Sequence, residues 1–107
     1  MRRGELVTIS LPGAYGKPRP ALVIQSDLFD AHPSVTVLAV TSELRDLPLF
    51  RVQVEPSKAN GLRSVSEVMV DKAHTVACEK VGSRIGQLEG EAMMAVNRAL
   101  ATFLGFA

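Results

Sequence analysis

Residues 91–104 read EAMMAVNRALATFL, and they are where the chain changes period. The stretch has no glycine or proline and is rich in strong helix formers. Met93, Val96, Leu100 and the pair Phe103/Leu104 recur at helical spacing. Gly105 follows as a residue suited to the left-handed stop of a helix. This predicts one amphipathic C-terminal helix, packed on a sheet or across a dimer.

Upstream of residue 90 the pattern is that of strands and turns. Residues 5–11 (ELVTISL) set Leu6, Thr8 and Ser10 against Val7, Ile9 and Leu11, which predicts a half-buried strand ended by Pro12 and Gly13. An irregular, Pro- and Gly-containing loop is expected over 12–20. Residues 21–25 (ALVIQ) form a second strand, apolar enough to be central. Residues 26–30 read as a capped turn of helix, broken at His32-Pro33. Residues 35–41 (VTVLAVT) are a third strand rich in β-branched side chains, and 50–55 (FRVQVE) a fourth. Asn60-Gly61 closes a turn over 56–61. Residues 66–70 make a fifth strand, and 80–88 hold one more. Strands first and one helix last predict a mainly β fold: a single domain over 1–107, with a curved antiparallel sheet closed as a small barrel.

The chain has 107 residues, net charge +1, one cysteine and no tryptophan. That charge excludes a basic nucleic-acid arm, so a polyanion would have to meet a local cluster. A lone Cys78 excludes an intrachain disulfide and a multi-cysteine zinc site, and reads as a packing residue. His32, in a proline-containing turn, reads as surface. No apolar run approaches the twenty residues of a membrane-crossing helix, and the N-terminus lacks a signal-peptide core, which reads as a cytoplasmic protein. A domain of this size buries only about two thirds of its unfolded surface, so a second copy is expected to cover more.

Residues 17–25, KPRPALVIQ, lock an arginine between two prolines at the mouth of a strand. Pro20 restricts Arg19 to extended geometry and Pro18 stiffens the approach. A guanidinium with little freedom left to lose suits the stabilisation of charge in a transition state. The plainer role is a brace, with Arg19 paired to a carboxylate such as Glu5.

Several segments together carry a resemblance. They are Arg3-Gly4-Glu5-Leu6-Val7, the run from Gly16 to Gln25, Val40-Thr41-Ser42, Val70-Asp71-Lys72 and Leu104-Gly105. In that order and spacing, over essentially the whole length, the chain resembles the MazF/PemK toxins of type II toxin–antitoxin systems. The resemblance implies an SH3-like barrel of the CcdB/Kid/MazF type with a C-terminal helix, and a homodimer. It implies a metal-independent endoribonuclease with no cofactor. Such an enzyme cuts single-stranded RNA by 2′-hydroxyl attack, leaving a 2′,3′-cyclic phosphate and a 5′-hydroxyl. A cognate antitoxin is the implied protein partner.

The family's catalytic arginine maps to Arg19 and its catalytic or phosphate-contacting threonine to Thr41. Its acidic residue maps to Asp71, an acid–base candidate whose plainer role is a turn. The chain departs from the family pattern beside it. Lys72 stands where many members have glutamine, and Met69 where one branch has arginine. His74 stands where many have arginine or lysine. As the side chain that titrates near neutrality, His74 is the candidate to touch the scissile phosphate or donate a proton. Lys17, Arg45 and Arg51 are candidate phosphate contacts, Ser42 a hydroxyl donor and Tyr15 a base-stacking aromatic. Glu5 is placed with the RNA-binding set, and the loop 44–48 is expected to tune sequence choice. Two other classes are open: a docking toxin of the same fold that inhibits gyrase, and a degenerate antitoxin-binding relative. The gyrase group depends on a C-terminal tryptophan, which this chain lacks.

Overall fold

The computed structural model describes residues 1–10 and 17–106. Six strands form one antiparallel sheet in the order β4-β5-β3-β2-β1-β6. They are β1 (Glu5–Ile9), β2 (Arg19–Val23), β3 (Ser34–Thr41), β4 (Arg51–Val54), β5 (Ser66–Ala77) and β6 (Val81–Gln87), followed by α1 (Gly90–Leu104). No helix among the described residues is long and apolar enough to cross a membrane.

The sheet is buried on both sides, which explains the unbroken apolar runs of β2 and β3. On one side Leu6, Leu22, Leu38, Val40, Val54, Val68 and Val70 pack with Val96 of α1. On the other, Val7, Ile9, Ala21, Val23, Val35 and Val37 form a second cluster, flanked by Val76, Cys78 and Val81. Strand β1 is therefore not half-buried as its alternation suggested. It lies between β2 and β6, with Leu6 in one cluster and Val7 and Ile9 in the other.

Strands β4 and β6 are the two ends of the ladder, and a turn rather than a strand pair brings them together. The Gln87 amide donates to the Ala59 carbonyl at 2.8 Å. Gly86 packs so closely on this turn that a Cβ there would lie 2.5 Å from Ala59 and Asn60 backbone atoms. Asn60, 1% exposed, builds the turn from within. Its Oδ1 accepts from the amides of Ser57 and Leu62, and its Nδ2 donates to the Glu55 carbonyl.

Two boundaries differ from the sequence reading. The fifth strand runs on from Val70 to Ala77, because a register shift opposite Leu38–Val40 lets β5 bend without ending. The Asp71-Lys72 pair, which reads as a turn, sits at that irregularity. Strand β2 begins at Arg19, so Arg19 and Pro20 belong to the ladder, opposite Ile9 and Thr8. Helix α1 ends as expected at Gly105, with φ +85°. Met93 and Leu100 pack on the core, but Phe103 and Leu104 are exposed at the helix end. Ser26 caps a short 3-10 turn by accepting from the Leu28 amide.

Candidate functional site

Arg19 and Thr41 stand on the side of the sheet away from α1, at an end of the sheet where the cleft also takes Val40, Leu62 and Ile85 from the α1 side. In β3, residues 35 and 37 belong to the second cluster, and Ala39 and Thr41 continue the same side. Ala21 faces Ala39 across the β2–β3 ladder. Continuing that register puts Arg19 beside Thr41. The proline-flanked arginine and the strand-end hydroxyl thus come from neighbouring strands, on one face.

They open into a cleft of about 880 Å³. Its walls include Pro18, Arg19 and Pro20 from β2 and its approach, Thr41, Ser42 and Glu43 from the end of β3, Met69 from β5, and Leu62, Arg63 and Ser64 from the turn before β5. None of the ion pairs among the described residues involves Arg19 or Arg63. Two guanidinium groups therefore face this cleft uncommitted to any carboxylate, a setting for phosphate. Thr41 Oγ1 accepts from the Glu43 amide at 3.0 Å, so the anticipated turn-capping role is real. The capping bond uses an oxygen lone pair and leaves the hydroxyl proton to donate.

The other expected residues are distributed around this cleft. Asp71 lies two residues beyond Met69, about 7 Å along the strand. Its Oδ1 is buried with no hydrogen-bond partner among the described residues, and its Oδ2 lies 3.6 Å from Lys72 Nζ. His74 pairs opposite Val37, on the same side of the sheet as Thr41 but about 13 Å away along β3. Neither lines the cleft. Lys17 is exposed just before Pro18. Tyr15 falls outside the described residues.

Three of the expected residues hold structural partners. Glu5 does not brace Arg19: its carboxylate pairs with Arg84 and accepts from the Arg2 amide, at the far end of β1. Those bonds, the Arg2 amide first, hold the Glu5 carboxyl below its usual value despite partial burial. Arg45 is engaged by Glu43. Arg51, with its side chain 14% exposed, is locked in an ion pair with Glu67 at 2.9 Å rather than offered to a ligand.

Sequence reasoning passed over Arg63, Glu43 and Glu67. Arg63 stands just past the Asn60-Gly61 turn, so its proximity to Arg19 depends on how the sheet closes. Glu67 reads as an outward position of an alternating strand, yet it is 2% exposed. Its carboxylate accepts from Arg51 Nη1 and from the amides of Arg45 and Asp46. The Arg51 guanidinium, opposed by burial and aided by the two amides, holds the Glu67 carboxyl below its usual value. Among the described residues no three His, Cys, Asp or Glu side chains gather into a set that would hold a metal ion.

Comparison with known proteins gives one consistent picture. Residues 2–104 match the family model described as PemK-like, MazF-like toxin of type II toxin–antitoxin system. The chain is 48% identical over 108 residues to a probable endoribonuclease MazF of Mycolicibacterium smegmatis, covering 100% of this chain and 99% of that protein. It is similar in structure to the Mycobacterium tuberculosis toxin MazF-mt6, with TM-score 0.80 and 26% identity over 94% of this chain and 96% of that one. It also shares its fold with a mycobacterial endoribonuclease solved in complex with its cognate antitoxin, with TM-score 0.82 and 23% identity, over 100% and 97% of the two chains. The MazF of a MazE–MazF complex from Deinococcus radiodurans has the same fold, with TM-score 0.78 and 21% identity over 100% and 98%.

Proposed function

The chain belongs to the PemK-like, MazF-like toxins of type II toxin–antitoxin systems, and from that premise we propose that it is an endoribonuclease whose RNA lies in the cleft between Arg19 and Thr41. The observation that carries this reading is the juxtaposition of Arg19, Arg63 and the Thr41 hydroxyl on one wall system, with both guanidinium groups outside any ion pair among the described residues.

The reaction proposed is cleavage within single-stranded RNA. The 2′-oxygen forms a bond to phosphorus, the bond to the 5′-oxygen breaks, and the products are a 2′,3′-cyclic phosphate and a 5′-hydroxyl. A proton leaves the 2′-hydroxyl and one reaches the departing oxygen. Arg19 would stabilise the charge that grows on the non-bridging oxygens, and Thr41 would donate its free hydroxyl proton to one of them. Asp71 and His74 stay proposed for proton transfer, but both lie outside the cleft and His74 is about 13 Å from Thr41 along β3, so that role requires the RNA to extend past Met69. Glu43, which lines the cleft, is the competing carboxylate. Ser42 and Arg63 would hold flanking phosphates, with Lys17 at the mouth. The proposed reaction uses no cofactor, and a cytoplasmic location is proposed with it.

The proposed protein partners are a second copy of the chain and a cognate antitoxin. Exposed apolar side chains support this reading, notably Leu49, Phe103 and Phe106, which a lone chain of this size leaves to water.

The test is cleavage of a diverse single-stranded RNA pool in EDTA by the parent and by a folded Arg19→Ala variant. Fragments ending in a 2′,3′-cyclic phosphate, lost in the variant, are the expected result. No cleavage by the folded parent would shift the reading to a docking toxin or an antitoxin-binding relative.

A further inference from the structure

Glu67 stands directly opposite Thr41 across the β3–β5 ladder. Its carboxylate gathers three donors: Arg51 Nη1 at 2.9 Å, the Arg45 amide at 3.0 Å and the Asp46 amide at 3.2 Å. Arg51 Nη1 also donates to the Glu43 carbonyl at 3.2 Å, and the Glu43 amide donates to Thr41 Oγ1. Thr41, Glu43, Arg51 and Glu67 are thus linked in one path that begins at the cleft and ends under it. Asp46 takes a positive φ of 53°, in the left-handed region that aspartate enters more readily than most residues, and its amide is among those Glu67 receives.

Holding a sheet together does not require this arrangement. Two buried charges lose hydration, and an apolar pair of similar volume commonly serves packing as well or better. What the carboxylate supplies is direction: three donors from one loop and one strand converge on it, and the loop they anchor leads out of Thr41.

We propose that Glu67 is the positioning residue of the cleft, fixing residues 43–46 through two amides and Arg51 so that the Thr41 hydroxyl is held toward the scissile phosphate. This rests on the ribonuclease reading above. Glu67 touches no substrate in this account; it acts through Thr41.

The experiment is a double-mutant cycle on RNA cleavage, run well below the unfolding temperature of every variant. Glu67→Gln keeps an acceptor and the volume but removes the charge that orders Arg51. It is expected to lower kcat roughly 10²-fold, the scale of a small misplacement at a reacting centre, with KM nearly unchanged. The Glu67→Gln/Thr41→Ala double variant is expected to be no slower than Thr41→Ala alone, because the positioned group is already gone. Arg51→Lys keeps the ion pair but gives up the planar fork, so a smaller loss of the same kind follows, and it serves if Glu67→Gln does not fold. Amide exchange adds a readout that needs no activity: the Arg45 and Asp46 amides should exchange at least tenfold faster in Glu67→Gln while core amides do not. Multiplicative losses in the cycle, or an active Glu67→Gln within twofold of the parent, would overturn the proposal. If the folded parent cuts no RNA, the ribonuclease reading fails on its own, and unchanged exchange at Arg45 and Asp46 would remove the positioning role of Glu67 separately.

Discussion

Thr41 and Glu67 face each other across β3 and β5, one hydroxyl at the cleft and one carboxylate buried beneath the loop that leaves it. The pairing couples a solvent-facing residue to an interior ion pair. It also makes the site sensitive to the protonation of a group that no substrate reaches.

Acid should therefore weaken this fold in a traceable way. The carboxyls of Glu67 and Glu5 are both held below their ordinary values. A carboxyl depressed in the folded state contributes stability that is present above its unfolded value of about 4.3 and is lost as pH falls through the folded value. Unfolding free energy should thus decline as pH is lowered from about 4.3. In Glu67→Gln that decline should be shallower, on a lower plateau at neutral pH. Urea unfolding at a series of pH values checks it; parallel curves for parent and variant would remove Glu67 as a source of the acid sensitivity.

The seam between β6 and the 56–61 turn should be intolerant of a single methyl group. The atoms nearest a Cβ at Gly86 are backbone atoms, which cannot rotate away, and the adjacent Gln87–Ala59 hydrogen bond would be forced open. Gly86→Ala is expected to cost about 1–3 kcal/mol, the range of overpacking in a filled core. Gly90, at the start of α1, has nothing among the described residues within 4 Å of the corresponding position. Gly90→Ala should instead stabilise by about 0.4–1 kcal/mol, chiefly by restricting the unfolded chain. Thermal unfolding of the two variants side by side gives opposite shifts, and equal shifts would mean the seam is looser than its contacts state.

How much of this could be read beforehand depended on whether a feature was local. The terminal helix and the strands β2, β3 and β4 announce themselves by period, and Gly105 and Ser26 cap where their chemistry predicts. Arg19 and Thr41 were legible as rigid or strand-end polar groups, and their nearness follows from the β2–β3 register. What was not legible came from the bend of the sheet. Asp71-Lys72 looks like a turn, because a bulge and a turn use similar residues, and so the length of β5 and the place of His74 were hidden. Glu67 sits at a position that alternation assigns to solvent. Only the loop folding back over β5 buries it, and loop paths leave no periodic trace. Arg63 joins the cleft only because the sheet closes through Asn60.

Asn60 should consequently matter to both stability and RNA binding. Its side chain satisfies two amides and one carbonyl inside the turn that precedes Leu62 and Arg63. Asn60→Ala leaves all three without that partner, and a loss of about 3 kcal/mol follows if each costs about 1 kcal/mol. Where the variant remains folded, its affinity for a non-cleavable RNA should fall together with a shallower salt dependence, because one phosphate contact is no longer held in place. Binding isotherms at several salt concentrations measure this. An unchanged slope in a folded variant would detach Arg63 from the RNA.

The hydroxyl of Thr41 separates a structural cap from a reacting group. In Thr41→Ser the oxygen can still accept from the Glu43 amide and still donate, so kcat should stay within a few-fold of the parent. Thr41→Val keeps the shape and removes both functions. Loss of the cap alone costs about 1 kcal/mol of stability, which leaves the protein folded at assay temperature. Loss of a donor to the growing charge on phosphorus costs roughly 10²–10³ in kcat with little change in KM. The proposed chemistry therefore requires a large kcat deficit in a folded Thr41→Val protein that binds RNA normally. A deficit confined to stability would leave Thr41 as the end of a strand and move the stabilisation of charge onto Arg19 and Arg63 alone.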